Sequence, residues 1–388
     1  KQFTESSGLK LYLTSSYYDQ KSNYGFTKYD AKQTSLSAMG FYEFEILPRS
    51  YLKTGISYKY QNIDEVISFG DTTSKTYAGN YLKKEAIPGV FAENSISFLD
   101  DNASLMTGIR VDNHNEHGVV VTPRALFRYQ PVKTIVFRAS VGTGFRTINL
   151  FSEYSNLLAS SRNVVIAETL EPEKTLNYGV DVLYYFGGNE YSGSVNVDFY
   201  RTEFSNKIIP DYDSNPREVI FENLNGKAYS NVMQTELSIT ILRNIDLKFA
   251  YKFIDLNYEK DGVKYEQPFV SKHRLLSTIS YITPNKEWSF SAGMNWFGKQ
   301  RLPSTASNPV EYQRPTESKP YTLVNAQVNK NFKYFELYAG VENLLDFKQD
   351  NPIIAADDPF GQYFDTSFIW GPTKGREIYA GFRFILGK

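Results

Sequence analysis

His114 and His117 stand in the stretch HNEH, a spacing at which two imidazoles can share a metal ion. A metal site needs three or four ligands with a supporting shell, so this pair reads as a solvated loop. His273, in SKHRL at a strand start, reads as structural or interior-facing. Glu171 and Glu173 flank Pro172, but paired carboxylates become acid and base only when a cleft sets them apart. Neither a G-x-S-x-G elbow nor a phosphate-binding glycine loop occurs. No catalytic residue, metal site or cofactor is assigned, and the chain is not read as an enzyme. The best binding candidates are Arg138, Arg146, Glu153 and Arg162. An arginine fork suits bidentate contact with carboxylate or phosphate, and its plainer role is ion pairing within the fold.

What must position these residues is a set of strands. Of 388 residues 16% are aromatic, with 30 Tyr and 28 Phe, a composition that favours pleated surfaces. Charge is balanced, 42 Lys and Arg against 43 Asp and Glu, so no global field points to nucleic acid. The absence of cysteine excludes disulfides and thiolate metal sites. Mean hydropathy is −0.41, and no run approaches the roughly 18 apolar residues of a membrane helix. A membrane barrel escapes that test, because only alternate residues face lipid.

Period-two alternation dominates the chain. In LNYGVDVLYYF (176–186), Val180 and Val182 fall on one face and Asp181 on the other. About sixteen such runs occur, most of about 10 to 14 residues, which suits tilted strands crossing a bilayer. Val180, Val182, Phe199, Phe249 and Phe253 are expected to face lipid, and Asp181, Asp198 and Lys252 the interior. Short turns (near 47, 99, 130, 187, 242, 283 and 331) alternate with mostly long polar loops at 64–82, 145–172, 204–226, 257–271, 298–319 and 347–373. Beside the short turns gather Tyr129, Tyr184, Tyr185, Phe186, Tyr281, Trp288, Phe332, Tyr334 and Phe335, which read as an interfacial girdle. The stretch VGTGFRTINLFSE (141–153) then marks where a strand enters a long loop. Gly142 and Gly144 are expected to bend the backbone there, placing Arg146 at the mouth.

In this order the residues resemble a known family. TPRALFRYQPVKTIVFRASVGTGFRTINLFSE (122–153) followed by LEPEKTLNYGVDVLYYF (170–186) is similar to consecutive barrel strands of the TonB-dependent outer-membrane receptors. YAGVENLLDFKQDNP (338–352) and WGPTKGREIYAGFRFIL (370–386) resemble the family's last two strands, and GTGFRT, LLASSR and FDTSFIWGPTKGR look most like receptors of Bacteroidota. The resemblance implies an all-β, antiparallel transmembrane barrel of 22 strands, plugged by an N-terminal domain that contacts TonB. Residues 1–388 would then be the C-terminal portion of that barrel without the plug, the first strand here being about the seventh. The ending FILGK departs from the family's terminal Phe. DYDSNPREVIFENLNGKAYS (211–230) resembles a loop-to-strand passage in which Asn223, Asn225 and Gly226 form a turn.

The implied function is active uptake, energised by TonB, of a scarce nutrient complex such as a ferric siderophore, haem or cobalamin. Haem is less supported, since the loop 146–171 has no His. The implied partners are the TonB complex, the plug domain, a nutrient chelate and outer-membrane lipid of a Gram-negative bacterium. In that setting Arg138, Arg146, Glu153 and Arg162 would bind ligand or tether loop and plug. The alternative functions are a sixteen-stranded diffusion porin, disfavoured by the motifs, and a soluble β protein, disfavoured by strand length and one-sided loops.

Overall fold

The protein is described here from a computed structural model that covers residues 2–4, 7–70 and 75–384. The departure at FILGK lies in residues 385–388, outside the described residues. The strands are β1 (Gln2–Thr4), β2 (Ser7–Tyr24), β3 (Thr27–Leu47), β4 (Ser50–Phe69), β5 (Gly79–Phe98), β6 (Ala103–His114), β7 (Gly118–Val132), β8 (Ile135–Arg146) and β9 (Asn163–Ile166). They continue as β10 (Glu173–Gly187), β11 (Tyr191–Asn206), β12 (Ile208–Asp211), β13 (Glu218–Asn223), β14 (Ala228–Ile241), β15 (Ile245–Lys260) and β16 (Val263–Glu266). The last are β17 (His273–Ile282), β18 (Trp288–Phe297), β19 (Tyr321–Asn331), β20 (Phe335–Glu342) and β21 (Glu377–Phe384). Among the described residues helical structure is confined to α1 (Leu150–Glu153) and two 3-10 turns at Ser155–Ala159 and Val310–Tyr312. No helix among the described residues is long and apolar enough to cross a membrane.

Among the described residues eighteen strands form one sheet, and β9, β12 and β13 form a second, small one. Two of the eighteen, β1 and β16, are stubs of 3 and 4 residues. The other sixteen form an antiparallel meander in which each wall strand pairs with the next, from β2 to β21. Among the described residues β2 and β21 do not pair with each other; β1 covers the outer edge of β2 only at Ser7 and Gly8, and the outer edge of β21 has no strand partner. Seven tight turns lie at one end of the sheet, each where the sequence places it. The opposite end carries the long loops.

Strict alternation decides the faces. Val180, Phe199, Met233 and Phe253 occupy one row of directly opposed residues across β10, β11, β14 and β15. Arg138, Asp181, Asp198, Gln234, Lys252 and Arg274 occupy the adjacent row on the other face. Val180, Val182, Phe199 and Phe249 are exposed, whereas Asp181 is buried. Leu11, Leu13, Ile56, Val90, Ile109, Ile279 and Ile378 extend the same exposed apolar face. Polar pairs such as Lys53–Glu93 and Arg110–Asp112 line the other.

Three expectations need correction. Strands β2 to β5 run 18, 21, 20 and 20 residues, longer than the alternating segments suggest. They consume much of the predicted 64–82 loop because their upper ends pack against folded loops. Gly142 and Gly144 do not bend the chain: both stay in register with Asn177 and Thr175 inside regular strands. At Gly142 an added Cβ would lie 3.2 Å from the Arg124 Cβ, so this glycine makes room for a neighbouring arginine. His114 is fully buried and not solvated, its Nδ1 accepting the Glu116 backbone N–H at 3.1 Å.

The principal buried core is not in the sheet. Leu150, Phe151, Leu157, Leu158, Val164, Ile208, Tyr212, Val219 and Phe221 come from the loops, and pack on Tyr29, Ile67 and Tyr77. A second cluster, Leu302, Ile354, Ala355 and Phe368, joins it through ring contacts of Phe269 with Tyr212 and Phe368. The long loops thus form a folded cap.

Candidate functional site at the loop end

Arg146 ends β8 opposite Glu173, the first residue of β10. Its Nε and Nη2 donate to Glu173 Oε2 at 2.9 and 2.6 Å, and its Nη1 donates to Glu153 Oε2 at 2.7 Å. Glu153 also accepts the Asn149 N–H at 2.9 Å, and Glu173 accepts the Ile208 N–H at 3.1 Å. The fork is therefore divided between the two ends of the loop 147–172.

Lys83 of β5 holds the same loop, a role without a sequence signal. Its Nζ donates to Thr147 Oγ1 at 3.0 Å, to the Ile148 carbonyl at 3.0 Å and to Asn149 Oδ1 at 2.7 Å, beside Glu85 at 2.9 Å. Asn223 fastens the far end: its Oδ1 accepts the Glu171 N–H at 2.9 Å and its Nδ2 donates to the Thr169 carbonyl at 2.7 Å. It acts as a staple more than as a turn former. Gly226 lets the chain approach β15, since an added Cβ would meet the Glu259 carbonyl at 2.0 Å.

Arg162, 1% exposed, sits at the centre of the cap. Its Nε donates to Asp365 Oδ2 at 2.6 Å, and its Nη1 donates to the carbonyls of Tyr212 and Glu218 at 3.2 and 3.3 Å. The guanidinium also lies over the rings of Tyr212 and Phe368. One side chain joins the loops 147–172, 207–227 and 343–376. Arg138 is not part of this assembly. It lies further down β8 on the polar face, paired with Asp181 at 2.5 Å. Of the four candidates only Arg146 and Glu153 touch.

The histidines do not assemble a metal centre. His114 Nε2 lies 3.6 Å from Glu85 Oε1, His117 Nδ1 lies 3.6 Å from Glu171 Oε2, and no metal-holding group of three acids or histidines occurs among the described residues. His273 stands on the outward row with Phe253, hydrogen-bonded to Tyr251 at 2.7 Å. Within the cap, burial pushes the Tyr154 hydroxyl up to about 12 and lowers the Lys207 ammonium. Such shifts mark a desolvated interior and place no acid–base pair in a cleft.

Two cavities accompany the cap. A cleft of about 600 Å³ lies between the β2–β3 tip and the loops, with Phe26 and Phe360 in ring contact at 4.7 Å and Arg217 and Ser161 beside them. A second, of about 550 Å³, lies on the polar face near Lys59, Arg110, Asp112 and Asn149. Both volumes fall in the range of small-molecule sites, roughly 300 to 1,000 Å³.

A membrane-type wall with trimmed turns on one side and a folded cap on the other defines a class. Residues 2–344 match the family described as TonB dependent receptor-like, beta-barrel, and the chain belongs to that family, whose members are outer-membrane barrel proteins of Gram-negative bacteria. No curated protein matches the sequence. Among solved structures, FpvA of Pseudomonas aeruginosa bound to heterologous pyoverdines is similar, with 15% identity, a TM-score of 0.70, and coverage of 99% of this chain and 55% of that one. A mutant of the ferric enterobactin receptor PfeA from the same organism, in complex with enterobactin, shows 14% identity and a TM-score of 0.66 over 97% and 62%. The copper transporter OprC shows 13% identity and a TM-score of 0.66 over 98% and 63%. At these identities the likeness is one of fold. The chain covers 55% of the FpvA chain, 62% of the PfeA chain and 63% of the OprC chain, and so spans only part of these relatives' length.

Proposed function

We propose that this chain supplies most of the wall and the outer mouth of an active outer-membrane receptor, energised through TonB and taking up a scarce nutrient complex. The observation that carries this reading is the cap. A diffusion pore needs an open mouth, whereas here the loops 147–172, 207–227, 298–320 and 343–376 share buried cores. Loops folded into one buried assembly at the end of the wall suit the capture of cargo, which calls for an energy supply. The relatives named above bind pyoverdine or enterobactin, or carry copper, so an iron chelate is the first cargo to test, with cobalamin next.

In this reading a plug domain and further wall strands complete the assembly, and the Bacteroidota-like motifs suggest the source. Arg146, Glu153 and Arg162 brace the mouth, while Arg138 pairs within the wall. Cells expressing the full receptor should accumulate a labelled ferric chelate only while the inner membrane is energised. Accumulation that survives an uncoupler at the same rate would favour the sixteen-stranded diffusion porin.

A further inference from the structure

The short-turn end carries a feature that uptake does not explain. Rings line the outward face in a continuous strip: Tyr281 stacks with Phe290 at 6.3 Å, Phe290 with Trp288 at 6.1 Å, and Phe332 with Phe335 at 4.4 Å. Lys330 links the two halves, its ammonium 4.8 Å from the Trp288 ring and 5.7 Å from that of Phe332. Glu287 pairs with Lys330 and is thereby neutralised.

Two more lysines flank the strip. Lys286 lies in the β17–β18 turn and Lys333 in the β19–β20 turn, and Asn331 ties the two turns together. The Asn331 backbone N–H donates to the Glu287 carbonyl at 2.7 Å, and its Nδ2 donates to the Lys286 carbonyl at 3.1 Å. Both lysines are exposed, and neither makes an ion pair among the described residues. Lys333 also lies 5.1 Å over the Tyr334 ring, which is 64% exposed.

We propose that this patch is a binding site for an anionic phospholipid headgroup of the leaflet that faces the short turns. Lys286 and Lys333 contact the phosphate from two tethered turns, and Trp288 and Phe332 receive the glycerol and upper acyl carbons. Aromatic rings settle at headgroup depth, and cations at that depth attract anionic lipid. The charge complementarity is local: Glu287 is already engaged by Lys330, which leaves two cations to one phosphate.

Native mass spectrometry of the full-length receptor, released from detergent in the presence of dioleoyl phosphatidylglycerol and dioleoyl phosphatidylcholine, tests the site. The wild type should retain phosphatidylglycerol preferentially, and Lys286→Ala with Lys333→Ala should reduce that preference roughly tenfold. Lys286→Arg with Lys333→Arg should keep it, and Lys299→Ala with Lys319→Ala at the loop end should leave it intact. Heat-modifiable migration of each variant on a gel separates lost binding from lost folding. An unchanged preference in the folded Ala pair overturns the proposal, as does equal retention of both lipids by the wild type. Displacement of the lipid by inorganic phosphate in millimolar excess would assign the lysines to a free anion and also overturn it.

Discussion

Arg162 is the side chain on which the cap most depends. It is buried with Asp365, itself 4% exposed, and the pair joins segments far apart in the chain. Truncating one partner of a buried ion pair strands the other charge, at about 3 to 5 kcal/mol. Arg162→Met should therefore loosen the cap, read as faster proteolysis of the loop 343–376 in otherwise folded receptor. Adding Asp365→Leu should restore most of the protection, since an apolar replacement of the whole pair is often neutral. Asp211 offers a pH test outside the membrane. Burial alone would raise its carboxyl, but hydrogen bonds from Ser214 and Asp213, with the Lys260 ammonium, outweigh that and lower it. A carboxylate whose folded value is depressed stabilises above its unfolded value, about 3.9, and loses that contribution as pH falls through the folded one. Cap protection should hold from neutral pH to about 5 and fall below about 4, and Asp211→Asn should flatten that step.

At the scale of elements, alternation controls the wall. Val182 faces outward at 38% exposure, and its neighbour Asp181 is 6% exposed on the polar face beside Arg138. Arg at position 182 near the midplane should cost roughly 2 to 4 kcal/mol and lower the amount of assembled receptor. Spin labels at Val182 and Asp181 in liposomes should report lipid and water respectively, and identical responses would contradict the assignment of faces. This layer of the structure was legible beforehand, because a strand's period and a tight turn are local properties. The seven turns and the polar row through Asp181, Asp198 and Lys252 were readable for that reason. The cap was not. Lys83 and Asp365 carry no local signature, and their partners lie 64 to 66 and 203 residues away. Gly142 misled for a related reason: a glycine signals either a bend or a close neighbour, and only the strand register reveals Arg124 beside it.

At the scale of the whole molecule, sheet and cap make opposite statements. The cap ties the β2–β3 tip to the loop 343–376 through Phe26 and Phe360, while β2 and β21 do not pair with each other below. In hydrocarbon each unsatisfied backbone group costs several kcal/mol, so open strand edges must find partners before the wall can sit in a membrane. The open β2 and β21 edges support the proposal of a receptor wall completed by further strands over that of a self-sufficient pore. The most direct test is to refold residues 1–388 alone in detergent and record heat-modifiable migration together with conductance in planar bilayers. No stable heat-modifiable species and no steady conductance are predicted. A well-folded, conducting channel from these residues alone would contradict the account and favour a passive diffusion pore.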